Sequence, residues 1–275
     1  MDMTVLKKKR ISFIGAGALG GAVAQGLVRG GCKVLAADPY AEKLTHLRTE
    51  GVNLTTDNIK AAEEAEIVIF ALKPHLTLGV VRDLASLLNG KLCASLAAAV
   101  PLQMLVEAAP GARWARAMSN ICAATNSAFT GITPHPSASE EDRADLKALF
   151  SLVGEAEFAV EKDLDLLTAL TGAGPAFFLS MLEAAAKGAI HAGLPKELAY
   201  RGAACTLLGA ARLALESGRH PAALCDDVCT PGGMTIEGVY ELERSAARGA
   251  MMKAVLLAAE KGRGLTEKVV SSLKQ

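Results

Sequence analysis

The chain has 275 residues, of which 51% are hydrophobic and only 4% are aromatic. Lysine and arginine together number 29, as do aspartate and glutamate, so the formal net charge is zero. That balance argues against nucleic acid or an anionic membrane surface as the main partner. The length suits two domains of ordinary size, with cores built mainly from alanine, leucine and valine.

Cysteine usage points to a reducing compartment. The 6 cysteines lie at irregular intervals, without a C-x-x-C pair or a histidine at metal-ligand spacing, so we expect reduced thiols and no metal site. No stretch near the N-terminus resembles a signal peptide, and charged residues or prolines interrupt the long apolar runs. We therefore expect a cytoplasmic protein without a membrane span.

A glycine-rich turn near the N-terminus organises the first half of the chain. It follows an apolar strand and has the spacing G-x-G-x-x-G at Gly15, Gly17 and Gly20. In a dinucleotide-binding turn, the first glycine permits the turn, the second admits a pyrophosphate and the third lets the next helix pack closely. That helix, predicted over residues 18–29, would offer free N–H groups to the phosphates. A tight turn without a ligand is the alternative.

Asp38 ends the predicted second strand, residues 33–37, about where an acid that binds a ribose hydroxyl is expected. Its carboxylate would repel a 2′-phosphate, which favours NADH over NADPH. Lys43 and Arg48 leave the opposite choice open, because either would bind a 2′-phosphate if the loop turned its way.

Strands and helices alternate through the first half. Strands are predicted over residues 33–37, 52–54, 67–72, 91–96, 113–118 and 155–160, and helices over 41–50, 59–65, 76–88, 102–108 and 140–152. Residues 133–137 are predicted to be a turn. The alternation indicates an α/β protein with a Rossmann-type, doubly wound parallel sheet.

Beyond Asp163 only helices are predicted, over residues 175–192, 196–217, 222–228, 235–244 and 247–261. We therefore divide the chain into a dinucleotide-binding domain, residues 1–162, and an all-α dimerisation and substrate domain, residues 163–275. These helices are rich in alanine and glycine and apolar on more than one face, so we expect an obligate homodimer. A monomeric bundle is the alternative.

One loop of the helical half has the composition of a binding site. Residues 230–235 read Thr-Pro-Gly-Gly-Met-Thr and directly precede a predicted helix. The two glycines bring bare backbone to a helix N-terminus, which suits a carboxylate. A plain turn, with Thr235 as a helix cap, is the alternative.

Four segments together resemble the Δ1-pyrroline-5-carboxylate reductases, over almost the whole chain. They are the N-terminal glycine turn, residues 71–74 (Ala-Leu-Lys-Pro), residues 172–177 (Gly-Ala-Gly-Pro-Ala-Phe), and residues 231–235 with Gly238, Leu242 and Glu243. The last segment is the most specific. The resemblance implies hydride transfer from NADH or NADPH to the C=N bond of Δ1-pyrroline-5-carboxylate, giving L-proline.

The resemblance also implies roles for individual residues. Cofactor contacts fall on Gly15, Ala16, Gly17, Ala18, Leu19, Gly20, Asn58, Ala71, Lys73, Pro74, Ala97 and Asn120, in addition to Asp38. The amides of Gly232, Gly233 and Met234 would hold the substrate carboxylate, and the Thr235 hydroxyl would face the ring nitrogen. Lys73 would act as a general acid or as an electrostatic contact to the cofactor. In this family the helical domain of the partner subunit completes the site.

Two segments depart from the family pattern. Residues 118–122 read Met-Ser-Asn-Ile-Cys in place of Met-Pro-Asn-Thr-Pro, and residues 97–99 read Ala-Ala-Ala in place of Ala-Ala-Gly. These changes leave open a related cyclic imine as substrate, or a non-catalytic nucleotide-binding paralogue. A β-hydroxyacid dehydrogenase, with Lys187 as its catalytic lysine, is a further alternative, although the asparagine expected one turn later is missing.

Overall fold

The computed structural model describes residues 6–272, which form two compact units. One unit contains a sheet, runs to Pro175 and resumes at Ala258, and the other is Ala176–Leu257. The strands are β1 (Ile11–Ile14), β2 (Val34–Ala37), β3 (Asn53–Thr55), β4 (Ile67–Phe70), β5 (Leu92–Ser95), β6 (Arg113–Met118), β7 (Ala128–Pro134) and β8 (Gly154–Phe158).

Helices connect most of the strands, and the second unit consists of helices and the loops between them. They are α1 (Ala18–Arg29), α2 (Thr45–Thr49), α3 (Asn58–Glu64), α4 (Pro74–Asp83), α5 (Leu102–Ala108), α6 (Glu140–Ser151), α7 (Glu161–Leu167), α8 (Gly174–His191), α9 (Lys196–Ser217), α10 (Pro221–Val228), α11 (Met234–Arg244) and α12 (Ala247–Ser272). Short 3-10 helices cover Ala41–Lys43, Ala85–Leu88 and Ile121–Thr125, and a π-turn covers Thr168–Gly172.

The sheet is doubly wound, as the sequence predicts. Its strand order is β3-β2-β1-β4-β5-β6-β7-β8, so the chain winds outward from β1 to β3 and then outward again from β4. The six strands from β3 to β6 pair in parallel. This arrangement brings the carboxyl ends of β1, β4 and β5 to one edge, where the connecting loops can form a ligand site.

Apolar side chains cover both faces of the central strands. Phe13 and Ile69 belong to one buried cluster, whereas their neighbours Ile14 and Phe70 belong to another on the opposite face. The Phe70 ring lies 5.5 Å from that of Trp114, whose indole N–H donates to a backbone carbonyl 3.0 Å away. Because both faces of β1 and β4 are buried, the residues of these strands are almost continuously apolar.

Local capping sets the beginnings of three helices. The Asp57 carboxylate accepts the N–H groups of Ile59 and residue 60 at 2.8 and 3.1 Å and caps α3. Ser139 and Asp142 form a reciprocal capping box at α6, and Pro74 occupies the first turn of α4. The Asp and Ser side chains accept hydrogen bonds from N–H groups that a helix N-terminus leaves unpaired, whereas proline has no N–H group to satisfy.

The prediction of a parallel sheet fails at one strand, and the turn predicted over residues 133–137 is confined to residues 136 and 137. Residues 128–134 form β7, which pairs antiparallel to β6, while β8 pairs parallel to β7. The turn prediction rested on residues 133–137, whose first two residues end this strand. A side chain at Gly131 would meet Leu164 and Leu167 of α7 at 3.1 and 2.8 Å, so glycine marks a close helix approach within a strand.

Three helix predictions also need correction. The helix predicted over residues 41–50 breaks at Leu44 into a 3-10 turn and α2, which lets Ala41 and Leu47 both become buried. Helix α7 was not predicted. The last helix continues to Ser272 instead of residue 261, with glycines 262 and 264 inside it, so these glycines do not end the helix.

One helical run, Glu161–His191, is long and apolar enough to cross a membrane. It spans 31 residues, and core helices of soluble proteins meet the same two criteria. The expected absence of a membrane span therefore stays a prediction.

The outer edges of the sheet are short or charged. β3 has three residues, and β8 carries exposed Glu155 and Glu157. Lys147 forms an ion pair with Glu157 at 3.0 Å and also donates to the carbonyl of Ala156 on the same strand. Charged edge strands resist pairing with further strands.

A buried arginine ties four elements of the sheet-containing unit together. Arg116 on β6 has 2% of its side chain exposed and pairs with Glu161 at 3.0 Å and Asp165 at 3.4 Å, both on α7. The Glu161 carboxylate also accepts the Leu102 N–H at the start of α5, at 2.6 Å. The Thr266 hydroxyl of α12 donates to Asp165 at 3.1 Å.

Arg116→Met should destabilise this unit by about 2–4 kcal/mol, because removing one partner of a buried ion pair leaves charge without compensation. Glu161 and Asp165 stay partly hydrated, which limits the loss. Arg244→Met, which removes an exposed pair with Glu241, is the matched control and should leave the melting temperature unchanged. Thermal melting of both variants provides the measurement, and equal shifts would contradict the assigned role of Arg116.

Candidate active site

Two glycines of the first turn are required by packing. Gly15 has a φ of +98°, and a side chain there would lie 2.6 Å from the carbonyl oxygen of Ala71, which follows β4. A side chain at Gly20 would collide with the carbonyl oxygen of Gly15 and lie 2.7 Å from the Ala71 methyl group. The turn and the end of β4 therefore touch through bare backbone, as predicted for the first and third glycines.

Gly17 has a different explanation. Its φ of −64° is available to any residue, and nothing within the described chain lies within 4 Å of where its side chain would begin. Gly17 is the N-cap of α1 and makes no side-chain cap, so the helix N-terminus is open on this side. The open space suits a phosphate group, and the turn fits a dinucleotide.

A cleft of about 340 Å³ adjoins this open space. Ala16, Gly17 and the first turns of α1 form one wall, and Leu44, His46 and Ile121 contribute other parts of its lining. Sequence reasoning did not assign these last three residues. Ile121 belongs to the altered 118–122 segment, and no motif points to the other two.

Asp38 fastens the turn to the second strand. One carboxylate oxygen accepts the Ala16 N–H and the other accepts the Tyr40 N–H, both at 2.9 Å. The Lys43 ammonium lies over the exposed Tyr40 ring, 5.1 Å from its centre. Arg48 is exposed and forms no ion pair with any described residue. Asp38 thus shapes the turn in addition to carrying a charge beside it.

The predicted contacts after β4 lie at the same sheet edge, because Ile14 is in register with Phe70. Ala71 and Pro74 are half-buried and flank Lys73, whose exposed side chain has no bonded partner among the described residues. The Lys73 carbonyl accepts the Thr77 hydroxyl at 3.1 Å, which anchors the backbone at the start of α4. The ammonium group is therefore available to a ligand.

The loop after β5 contains a strained alanine. Phe70 is in register with Ser95, which places Ala97 at the same edge. Ala97 is buried, and its N–H donates to the Ser95 hydroxyl at 3.2 Å. Ala99 has a φ of +62°, a left-handed conformation that costs an alanine about 1–2 kcal/mol. The altered 97–99 segment thus keeps a backbone shape that favours glycine.

Asn120 holds a loop in place through both ends of its amide. The side-chain oxygen accepts the Cys122 N–H at 2.9 Å, and the side-chain nitrogen donates to the Thr171 carbonyl at 3.0 Å. Thr171 lies in the π-turn, a feature often found at functional sites. Asn120 is thereby a positioning residue for this loop. Asn58, at the start of α3, is half-buried and follows the capping Asp57.

The Thr-Pro-Gly-Gly loop belongs to the helical unit and forms a turn. Gly232 has a φ of +67°, and the Gly233 N–H donates to the Thr230 carbonyl at 3.0 Å. That bond occupies one of the three amides predicted to bind a carboxylate. Within the described chain, the N–H groups of Gly232 and Met234 have no acceptor, so they remain free to bind an anion at the start of α11.

Thr235 does not cap the helix. Gly233 is the N-cap of α11, and no side chain caps it. The Thr235 hydroxyl makes no hydrogen bond to any described residue, although its side chain is half-buried. The capping alternative is therefore wrong, and the hydroxyl is available to a ligand.

Lys187 is held in a surface ion pair. Its ammonium lies 2.9 Å from Glu183 one turn earlier, and that hydrogen bond and charge raise the pKa of Lys187. A raised pKa opposes any role as a base. Among the described residues, no group of three His, Cys, Asp or Glu side chains is placed to hold a metal ion.

Two family profiles match separate parts of the chain. The family described as "Pyrroline-5-carboxylate reductase dimerisation" matches residues 161–265, and the one described as "NADP oxidoreductase coenzyme F420-dependent" matches residues 10–99. The chain is 38% identical to a pyrroline-5-carboxylate reductase of Methanosarcina acetivorans over 270 residues, which cover 96% of this chain and 100% of the relative. It belongs to the pyrroline-5-carboxylate reductase family.

Other family members give the same result. The Escherichia coli pyrroline-5-carboxylate reductase is 35% identical over 267 residues, covering 94% of this chain and 99% of that one. The solved structure of a Coxiella burnetii pyrroline-5-carboxylate reductase superposes with a TM-score of 0.81 at 29% identity, covering 94% of this chain and 98% of that one. The Plasmodium falciparum pyrroline carboxylate reductase, solved with NADP bound, shares the fold with a TM-score of 0.86 at 24% identity, over 94% of this chain and 99% of that one.

These findings confirm several predictions made from the sequence. The family, the α/β fold class with its C-terminal dimerisation region, and the enzyme class of nicotinamide-dependent imine oxidoreductase are confirmed. No comparison favours the dehydrogenase or the non-catalytic alternative. The chain is thus a pyrroline-5-carboxylate reductase family member that uses a nicotinamide dinucleotide and forms a homo-oligomer.

Gly17→Ala should weaken dinucleotide binding about tenfold or more while costing less than about 1 kcal/mol of stability, because its methyl group enters only the open space beside α1. Gly20→Ala is the matched control and should lose about 1–3 kcal/mol of stability by overpacking against Gly15. Fluorescence titration with NADH and thermal melting separate the two effects. Unchanged NADH affinity in Gly17→Ala would contradict the assignment of that space to the cofactor.

Proposed function

We propose that the chain reduces the C=N bond of Δ1-pyrroline-5-carboxylate and releases L-proline, with NADH or NADPH as the hydride donor. The observation that carries this proposal is that two loops of this chain, at Gly17 and at Thr235, each leave groups available to a ligand. Gly17 leaves space at the N-terminus of α1, and the Thr235 hydroxyl has no partner within the described chain. The names of the full-length relatives support the same reaction.

The residues of the sheet-containing unit would bind and position the cofactor for an imine reduction. The nicotinamide supplies a hydride when bound. The turn from Gly15 to Gly20 and the α1 N-terminus hold the pyrophosphate, and Lys73 and Pro74 approach the cofactor at the sheet edge. Ala71, Ala97 and Asn120 shape that edge. Such positioning supplies much of the rate, since an iminium is already a good electrophile.

The helical unit would bind the substrate. The free N–H groups of Gly232 and Met234 hold its carboxylate, while the bonded Gly233 fixes the shape of the turn. The Thr235 hydroxyl then contacts the ring nitrogen and orients the proton that the nitrogen gains. We propose that the helical domain of the partner subunit completes each site.

We further propose a homodimer with domains at residues 1–162 and 163–275. The match of the dimerisation family to residues 161–265 supports it. Large apolar side chains also remain exposed on the helices, including Phe178, Leu179, Leu208, Leu256 and Leu257. We propose a cytoplasmic enzyme whose partners include neither nucleic acid nor a membrane, in keeping with its zero net charge.

Thr235→Val should lower kcat/KM for the cyclic imine about tenfold to a hundredfold. The change keeps the volume of the side chain but removes a hydrogen bond to a group whose charge changes, worth roughly 1.5–3 kcal/mol. Dinucleotide affinity should stay unchanged. Steady-state kinetics with the imine and a binding titration with NADH provide the measurement.

Thr235→Ser is the control for this substitution, because it retains the hydroxyl and should keep most of the activity. A Thr235→Val enzyme with full kcat/KM would remove the hydroxyl from the reaction.

We propose a preference for NADH, supported by the Asp38 carboxylate beside the glycine turn. Its charge would repel the 2′-phosphate of NADPH, and repulsion of about 1.4 kcal/mol corresponds to a tenfold preference in kcat/KM. Asp38→Asn keeps an acceptor for the Ala16 N–H but loses the charge, so it should narrow that preference. Higher kcat/KM with NADPH in the unmodified enzyme would show that Lys43 or Arg48 binds the phosphate instead.

A further inference from the structure

Two cysteines lie at the end of α10, directly before the Thr-Pro-Gly-Gly loop. Cys225 is on the helix and exposed, and Cys229 ends the helix and is half-buried. Residues four apart share one face of a helix. Burial and then the neighbouring Cys225 thiol raise the pKa of Cys229, so the two side chains interact. The pair lies outside every role assigned above.

The backbone at this point permits the pair to close. In a helix, residues four apart have Cα atoms about 6 Å apart, within the range of disulfides. Their Cβ atoms are about 5–6 Å apart, whereas a disulfide needs about 3.5–4.5 Å. Cys229 has already left the helical conformation, with φ −86° and ψ 121°, so it can move toward Cys225 without breaking an inner turn.

That movement would be passed to the substrate loop. Thr230 follows Cys229 directly, and its carbonyl accepts the Gly233 N–H that defines the turn. Drawing Cys229 toward Cys225 by about 1–2 Å displaces the start of this turn. The free N–H groups at Gly232 and Met234 then change position.

The surroundings give the two thiols different roles. Cys225 is exposed to solvent whereas Cys229 is half-buried, so a small disulfide reaches the Cys225 thiol first. Cys225 is thus the attacking thiol, and the more buried Cys229 is the resolving one.

We propose that Cys225 and Cys229 form a thiol–disulfide site that takes small-molecule disulfides and thereby lowers substrate binding at the adjacent loop. The Cys225 thiolate attacks the small disulfide, forming a mixed disulfide and releasing one thiol. Cys229 loses its proton and attacks the Cys225 sulfur, releasing the second thiol. One small disulfide is reduced to two thiols as the two cysteines are oxidised. The effect on binding rests on the proposed role of the loop.

The test uses the full-length enzyme incubated with glutathione disulfide, followed by intact mass measurement and peptide mapping. The oxidised chain should lose two hydrogens, with the bond mapped to Cys225 and Cys229. Its kcat/KM for the cyclic imine should fall about fivefold or more, mainly through KM, and dithiothreitol should restore it. NADH affinity should not change.

Variants separate this site from other thiols. Cys225→Ser should keep the basal activity and lose the response to glutathione disulfide. Cys205→Ser, at another exposed cysteine, is the matched control and should keep the response. Cys229→Ser should stop at the mixed disulfide on Cys225.

Two results would overturn the proposal: no bond between Cys225 and Cys229, or a mapped bond with unchanged kcat/KM and KM. The mass measurement reports the thiol chemistry whatever the loop binds. Kinetics of the reduced enzyme and of Thr235→Val test the proposed imine reduction separately. A failure of the thiol–disulfide proposal and a failure of the proposed function therefore show in different measurements.

Discussion

The close approach of two backbone segments is the constraint on which the rest of this structure depends. The turn after β1 touches the chain just beyond β4, because Gly15 and Gly20 leave no side chain at the contact with Ala71. That contact sets the height of α1 above the sheet and leaves its N-terminus open at Gly17. The open space at Gly17 is thus set by the side chains that this part of the sequence lacks.

A second constraint is the need to pair a buried positive charge. The Arg116 guanidinium is buried, and its two carboxylate partners both belong to α7. Through Glu161 the same network reaches the first N–H of α5, directly after the loop that contains Ala99. The loop that contains Ala99 is thus connected through the start of α5 to α7, where the match to the dimerisation family begins.

Local sequence signals predicted much of this architecture, and long-range contacts account for what they missed. The bounds of α1, α5, α9 and β6 follow from periodicity, capping and glycine spacing alone. β7 was missed because Gly131 serves the packing of α7, a contact that no local pattern reveals. The ion pairs of Arg116 could not be predicted from local sequence either, because its partners lie 45 and 49 residues away. Among the candidate site residues, Asn120 donates to the Thr171 carbonyl 51 residues away, and no local pattern reveals that bond.

The two ends of the sheet limit how copies of this chain can meet. β3 is too short to template another strand, and β8 presents two glutamates to solvent with a lysine bonded across its carbonyl face. Strand-to-strand addition would have to desolvate these charges, and it could repeat without end because each added copy would expose a new edge. Association through apolar helix faces instead closes once those faces are covered. The charged edges therefore favour an assembly of fixed size over an open-ended fibre.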